Sequence, residues 1–382
     1  MPTDGTQLSP SPTLLAWREE SAATRLEYAD GHVGWIVTRH ELATEILRDP
    51  RFTREFTRLP MSGEPHANID ADATESIRVG GPLDNDGSVH ARLRRAITGR
   101  LSVKAARSYR PRIEEIVQEQ LASLQQAEAR PIDLTAAYSE PISARVHCLV
   151  MGVPADREDE YFDVFVGAST LQDKFDFARA RLAEKRGAPS VDVLSDLASS
   201  DLSRHEKEGL ALVMLSAGRD SVAHLISTST VALLREDRSQ WEWLRTNPEG
   251  MVRAVEEFVR VGSLFLTLFS RTAKEDVVYD SLTVRAGESV SVALPAANRD
   301  PRRFDRPDTF DVQRDAYGHL GFGYGIHGCA GQQVARVAIT EAISALLRGL
   351  PTLELVDADQ LRPMPFAHPV ATYKTGAVRV EW

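Results

Sequence analysis

Cysteine is nearly absent: the 382 residues hold two, Cys148 and Cys329. They give no disulfide framework and fit a reducing compartment. Long apolar runs are missing too, and none approaches the roughly 20 residues a membrane span needs. No charged-then-apolar segment at the start suggests export, so the cytoplasm is the expected location. Basic residues are outnumbered, 45 against 55 acidic, and the net charge of −10 argues against a nucleic-acid partner. No flavin or nicotinamide fingerprint is present. The length prior allows two or three domains, yet no linker-like stretch divides the chain. What remains, 42% hydrophobic and 26% charged, is ordinary for a globule with a sizeable core.

One stretch stands apart, His319 to Arg336. Gly321, Gly323 and Gly325 alternate with bulky residues on the way to Cys329, and a helix-like run follows from Val334 to Leu350. Such glycines let a backbone turn sharply and lie close against something flat. A thiolate just before a helix N-terminus gains from the dipole and from backbone N–H donors, which lowers its expected pKa. A single thiolate with no second cysteine or close histidine pair makes a poor zinc site. It suits an iron whose equatorial ligands come from a macrocycle; the bland alternative is a glycine-rich turn around a buried cysteine. Cys148, in the apolar run Val146 to Val150, reads as a small core residue.

The segment resembles the cysteine-ligand loop of the cytochrome P450 family, Phe-Gly-x-Gly-x-His/Arg-x-Cys-x-Gly. Phe322, Gly323, Gly325, His327, Cys329 and Gly331 match every fixed position. The resemblance implies haem b with Cys329 as the axial ligand of its iron. It extends over about residues 20 to 382.

Other motifs follow in the family's order. His90 and Arg94 stand four apart on one expected helix face and match its His-x-x-x-Arg, which implies contacts to the haem propionates. From His90 to Arg112 there are eight basic residues and no acidic one. This reads either as a solvated face or as a docking patch for a ferredoxin-type electron donor, served by its own reductase. Ala217-Gly218-Arg219-Asp220-Ser221 matches the family's Ala/Gly-Gly-x-Asp/Glu-Thr, with serine in place of threonine. By resemblance Ala217 and Gly218 leave room beside the haem, Asp220 relays protons and Ser221 supplies a hydroxyl. That hydroxyl can also bond back to the Ala217 carbonyl. Glu257 and Arg260 match Glu-x-x-Arg, with Arg314 expected to join them, and Arg271 is expected at a propionate. The proline common after the Glu-x-x-Arg arginine is missing from Val261-Gly-Ser263. In the tail, Phe366 and His368 form a turn able to reach the pocket.

Residues 1–12 are Pro/Ser-rich and expected to be a flexible segment, with 13–382 as one catalytic domain. Thr24 to Tyr28 and Gly34 to Thr38 read as a hairpin about Asp30-Gly31. Glu41 to Leu47, 114–126 and 141–150 read as helices, and 59–88 as loop with at most one helical turn. Tyr161 to Leu197 should hold two short helices. One long helix is expected from Ser203, with a capping box to Glu206, to about Arg235. Leu210, Val213, Met214, Ala217, Leu225 and Ile226 should form its buried face. Leu264 to Phe269 reads as a strand, short strands follow to Val292, and 298–310 is irregular. The expected fold is mainly α with a small β-region, as in cytochrome P450.

The implied reaction is insertion of one oxygen atom from O2 into a small, largely apolar molecule, by hydroxylation or epoxidation. Oxidative coupling or desaturation at the same site stays open. A haem-binding sensor is the reading from another class, and the Asp220–Ser221 pair argues against it.

Overall fold

Several helices open on a polar side chain that caps them: Ser11, Asp70, Ser102, Thr170, Asp192 and Ser203 each accept from an amide of the first turn. The computed structural model of the chain describes residues 2, 4–6, 8–28, 31–54, 69–81, 85–167, 169–235, 238–358, 372–373 and 376–382. Its first helices are α1 (Pro12–Glu20), α2 (His40–Arg48), α3 (Ala71–Gly80) and α4 (Gly87–Thr98). Then come α5 (Val103–Gln126), α6 (Glu140–Met151), α7 (Glu158–Phe165), α8 (Leu171–Gly187) and α9 (Val193–Ser199). The second half holds α10 (Arg204–Ser216), α11 (Arg219–Leu234), α12 (Ser239–Thr246), α13 (Met251–Gly262), α14 (Leu294–Ala297) and α15 (Gln332–Gly349). Ser203 accepts from the Glu206 amide and Glu206 reaches back, so the expected capping box is present.

Strands are few and short. β1 (Ala23–Glu27) and β2 (Val33–Val37) pair antiparallel as the expected hairpin. They share a sheet with β3 (Phe52–Thr53), β5 (Arg271–Ala273) and β8 (Ser289–Val292), in the order β1-β2-β8-β5-β3. β4 (Ile132–Asp133), β9 (Glu354–Ala358) and β10 (Val378–Glu381) form a second sheet, and β6 (Val277–Tyr279) pairs with β7 (Leu282–Val284).

The main core lies among α5, α6, α10, α11, α13 and α15, around fully buried Ile113, Ile142, Leu210, Ile226, Phe258 and Leu346. Burying such a side chain contributes about 1.5–3 kcal/mol. Cys148 is wholly buried among them, as expected. A smaller core packs α2 against the five-stranded sheet.

Four local expectations are corrected. Residues 59–88 hold a ten-residue helix, α3, capped by Asp70. Its backbone lies directly on α10: a Cβ added at Gly209 would sit 1.8 Å from the Ser76 carbonyl oxygen, and one at Gly80 would sit 2.7 Å from the Gly209 Cα. The stretch around 161–197 holds three helices, and α8 alone has 17 residues. Leu264 to Phe269 is no strand but makes two isolated bridges, Phe265 with Thr372 and Thr267 with Ala293. The long helix is broken at Gly218. Residues 204–234 are apolar and long enough to cross a membrane by composition, yet they form two helices and are half buried at their most apolar.

Candidate functional site

The cysteine loop is built largely from its own backbone. Gly323 and Gly325 adopt φ of 70° and 74°, the left-handed region where a side chain is strained. The Cys329 amide donates to the Phe322 carbonyl at 2.8 Å, and the Gly328 amide to Gly325 at 3.0 Å. A Cβ at Gly325 would lie 2.6 Å from the Leu47 carbonyl oxygen, so the loop presses on the end of α2. Phe322 lies under the Arg336 guanidinium, 4.6 Å from its ring centre. Gly331 is the N-cap of α15, and the Gly331 and Gln332 amides both bond the Cys329 thiol. Although Cys329 opens to solvent, the protein packed around it pushes its pKa up. The two amides and the charges of Arg94 and Arg336 oppose that rise without reversing it, which corrects the expectation of a lowered value.

Beside the loop, α4 and β5 deliver three of the expected residues, His90, Arg94 and Arg271. His90 is buried, its ring centre 4.4 Å from that of His327. Burial, then the neighbouring His327 and Arg94, bring its pKa down to about 4. One turn on, Arg94 donates to the Gly328 carbonyl at 2.6 Å. Arg271 is buried, and burial together with the Arg54 charge brings its pKa down to about 9. Its Nη1 has no hydrogen-bond partner among the described residues, and neither has His327 Nδ1. The other nitrogen of that ring, Nε2, bonds Asp86 at 2.6 Å.

Asp86 went unread in the sequence. It stands at the N-cap of α4 but makes no cap bond. Its carboxylate instead accepts from His327, from Thr53 Oγ1 at 2.6 Å and from the Arg54 amide at 2.7 Å. Burial alone would raise its pKa; these donors hold it below the usual carboxylate range. An aspartate before a helix carries only a capping signal in sequence. Its ties to β3 and the cysteine loop are visible only once folded.

The oxygen-activation motif lies across the break. α10 ends with Ala217 extended (ψ 153°), Gly218 takes φ of 96°, and α11 begins at Arg219. Ser221 Oγ donates to the Gly218 carbonyl at 3.1 Å, not to Ala217 as expected. Asp220 is 65% exposed and pairs with Arg219. Of the expected buried face, Leu210, Leu225 and Ile226 are buried, Val213 and Met214 only partly, and Ala217 is exposed.

Behind the loop, Glu257 and Arg260 form an ion pair at 2.7 Å with both side chains fully buried, and Arg314 reaches Glu257 at 3.4 Å. Arg260 also donates to the Asn298 and Pro307 carbonyls. The expected three-residue network is therefore present. Its neighbour Glu256, also unread, ties the loop directly, bonding Arg336 at 2.6 Å and His319 at 3.1 Å.

The basic stretch is acid-free in sequence but not in space. Arg92 pairs with Glu206, Arg100 with Asp196, Arg110 with Glu114 and Glu341, and Arg112 with Glu115 and Glu119. Arg95, Lys104 and Arg107 are exposed, with no ion pair among the described residues. Phe366 and His368 lie outside the described residues.

The site thus offers a thiol bonded by two amides, next to a buried arginine and histidine that each keep an unpartnered nitrogen. That donor set fits a flat metal macrocycle bearing carboxylates. Comparison with known proteins agrees. The family model "Cytochrome P450" matches residues 250–367. Cytochrome P450 105C1 of a Streptomyces species is 34% identical over 98% of this chain and 95% of its own length. The mycinamicin IV hydroxylase/epoxidase of Micromonospora griseorubida is 34% identical over 90% of this chain and 89% of its own. Among solved structures, the mycinamicin VIII C21 methyl hydroxylase MycCI of the same organism, bound to mycinamicin VIII, has a TM-score of 0.86. It is 28% identical, and the match covers 99% of this chain and 98% of that one. With so much of both chains shared, this chain belongs to the cytochrome P450 family, the monooxygenases that hold a haem iron through a cysteine.

Proposed function

We propose that Cys329 is the haem ligand and that the enzyme hydroxylates or epoxidises a small, largely apolar molecule of secondary metabolism. The observation that carries this reading is the Cys329 thiol, bonded by the Gly331 and Gln332 amides at the head of α15. Cys148, buried in the core, is not available for the role. Arg271 Nη1 and His327 Nδ1, both unpartnered, would hold the propionates with His90 and Arg94. Phe322, Gly323 and Gly331 shape the cradle beneath them. Relatives named as hydroxylases support the substrate class. Bound haem supplies the centre where dioxygen is reduced and one of its atoms is passed to carbon, the other leaving as water.

The chain's own contribution on the other side is protons. Asp220, exposed and paired with Arg219, takes protons from solvent at its carboxylate. Ser221 carries them inward through its hydroxyl, in the gap that Ala217 and Gly218 leave open. Serine lacks the methyl that narrows threonine's χ1 choices, so its hydroxyl is held less firmly. Electrons come from a ferredoxin-type donor and its reductase. Within Arg92 to Arg112, exposed Arg95, Lys104 and Arg107 suit that docking better than the cations already paired internally. The reducing cytoplasm suits two free thiols.

Turnover of candidate compounds with a surrogate ferredoxin and reductase tests the reading. A product heavier by one oxygen atom is expected. Loss of two hydrogens would favour desaturation, and electron uptake with no product from any compound would overturn the enzymatic reading.

A further inference from the structure

The break between α10 and α11 leaves backbone groups that a continuous helix would satisfy. Among the described residues, no bond runs from the Gly218 amide to the Met214 carbonyl or from the Arg219 amide to that of Leu215. Carbonyls at a helix end need partners from elsewhere. Here they come from two other helices. Tyr161, wholly buried on α7, donates its hydroxyl to the Leu215 carbonyl at 3.1 Å. The imidazole of His147, on α6, faces the backbone of Leu215 and Met214. Its Nε2 is buried and meets no partner among the described residues, which leaves Nδ1 as the nitrogen that faces that backbone. A Cβ on Gly218 would lie 3.3 Å from that same Nδ1. Burial brings the ring's pKa down to about 4, so it is neutral and donates from one nitrogen only. On the far side of the break, Ser143, one turn before His147, donates to the Arg219 carbonyl. The rings of His147, Tyr161 and Phe165 pack in series, with centres 5.9 and 5.0 Å apart, which fixes the two donors in place.

We infer that His147 and Tyr161 are positioning residues that hold the helix open at Ala217–Gly218, so that the gap beside Ser221 is set by α6 and α7 rather than by whatever binds in it. In an unbroken helix these carbonyls would meet the amides four residues on; here side chains of α6 and α7 stand in their place. Removing them leaves the Met214 and Leu215 carbonyls buried without donors. The nearest replacements are the Gly218 and Arg219 amides, and using them closes the helix. The consequence for turnover rests on the roles proposed above for Asp220 and Ser221; the consequence for the backbone does not.

The test uses the haem-loaded enzyme and three variants. Tyr161→Phe removes one hydroxyl and keeps the ring packing. His147→Leu removes the second donor, and His147→Asn restores a donor close to the position of Nδ1. Amide exchange is followed at residues 214–222, together with product and peroxide formed per electron pair. Exchange at Gly218 and Arg219 should slow about tenfold in Tyr161→Phe and His147→Leu, the change that one hydrogen bond gives. His147→Asn should restore it. Product per electron should fall in step while the reduced, carbon-monoxide-bound spectrum is unchanged. Exchange as in the wild type in a folded Tyr161→Phe protein would overturn the inference. Slowed exchange with undiminished coupling would support the clamp and remove instead the proton role given to Ser221 and Asp220.

Discussion

The cysteine loop and the α10–α11 break both bend a chain around glycine, but they are held in different ways. The loop's bonds run mostly between residues a few positions apart, such as Cys329 to Phe322 and Gly328 to Gly325. Its glycines at positive φ need no distant partner to be reasonable. At the break the local sequence favours a continuous helix, and donors more than 50 residues away turn it aside. A shape encoded locally survives many changes around it. A shape imposed from outside depends on every residue that imposes it.

The largest expected effect lies in the loop. Cys329→Ser should abolish the red-shifted Soret band of the reduced, carbon-monoxide-bound protein while the far-ultraviolet circular dichroism stays native. A band that persists would move the ligand elsewhere and end the comparison.

Next comes the break. Asp220→Asn should slow product formation about 10²–10⁴-fold, the usual contribution of a general acid. Ser221→Ala should raise peroxide per electron pair, and Ser221→Thr should lower it if rotamer freedom is the weakness. Equal coupling in all three proteins would mean the break carries no proton traffic.

The loop's anchor can be tested by pH. Burial opposes ionisation of Glu256, but Arg336 and His319 outweigh it and bring its pKa to about 2. A carboxylate whose pKa falls on folding stabilises above its unfolded value and loses that contribution as pH drops through the folded one. Stability should therefore fall between about pH 5 and pH 2, by about 3 kcal/mol from this group. Urea midpoints across that range should slope less steeply in Glu256→Gln, and an unchanged slope would dissociate Glu256 from the loop's stability.

The smallest effect concerns charge. Reversing Arg95 and Lys104 to glutamate should slow reduction by the donor about tenfold at low salt, and less at high salt as steering is screened. Arg92→Glu should instead act through its lost pair with Glu206. Unchanged reduction in the Arg95/Lys104 variant would remove the docking assignment.

What the sequence revealed follows the same division. The hairpin, the His90–Arg94 face, the Ser203–Glu206 box and the buried Glu257–Arg260 pair are short-range patterns, and each is present in the fold. The break was hidden because Ser203 to Arg235 is uninterrupted in pattern and glycine alone costs a helix only about 1 kcal/mol. α3 was hidden because its periodicity is weak and its support is a backbone face of α10. The paired state of Arg92 and Arg100 was hidden because Glu206 and Asp196 lie about a hundred positions further along. The fold sets His327 beside His90, and the Asp86 that aims its ring carried no signal in the sequence beyond a helix cap.

The contact of α3 with α10 carries a mechanical consequence. Gly80 and Gly209 leave no side-chain layer between the two backbones, and Asp72 further ties α3 to Arg204 at the start of α10 and to Arg179 on α8. Layers of side chains are what let packed helices slide by small rotamer adjustments. Without that lubricating layer, α3 and α10 form a lever rather than a hinge. A displacement of α3 would therefore bear directly on the backbone of α10, whose far end, Ser216, lies next to the break.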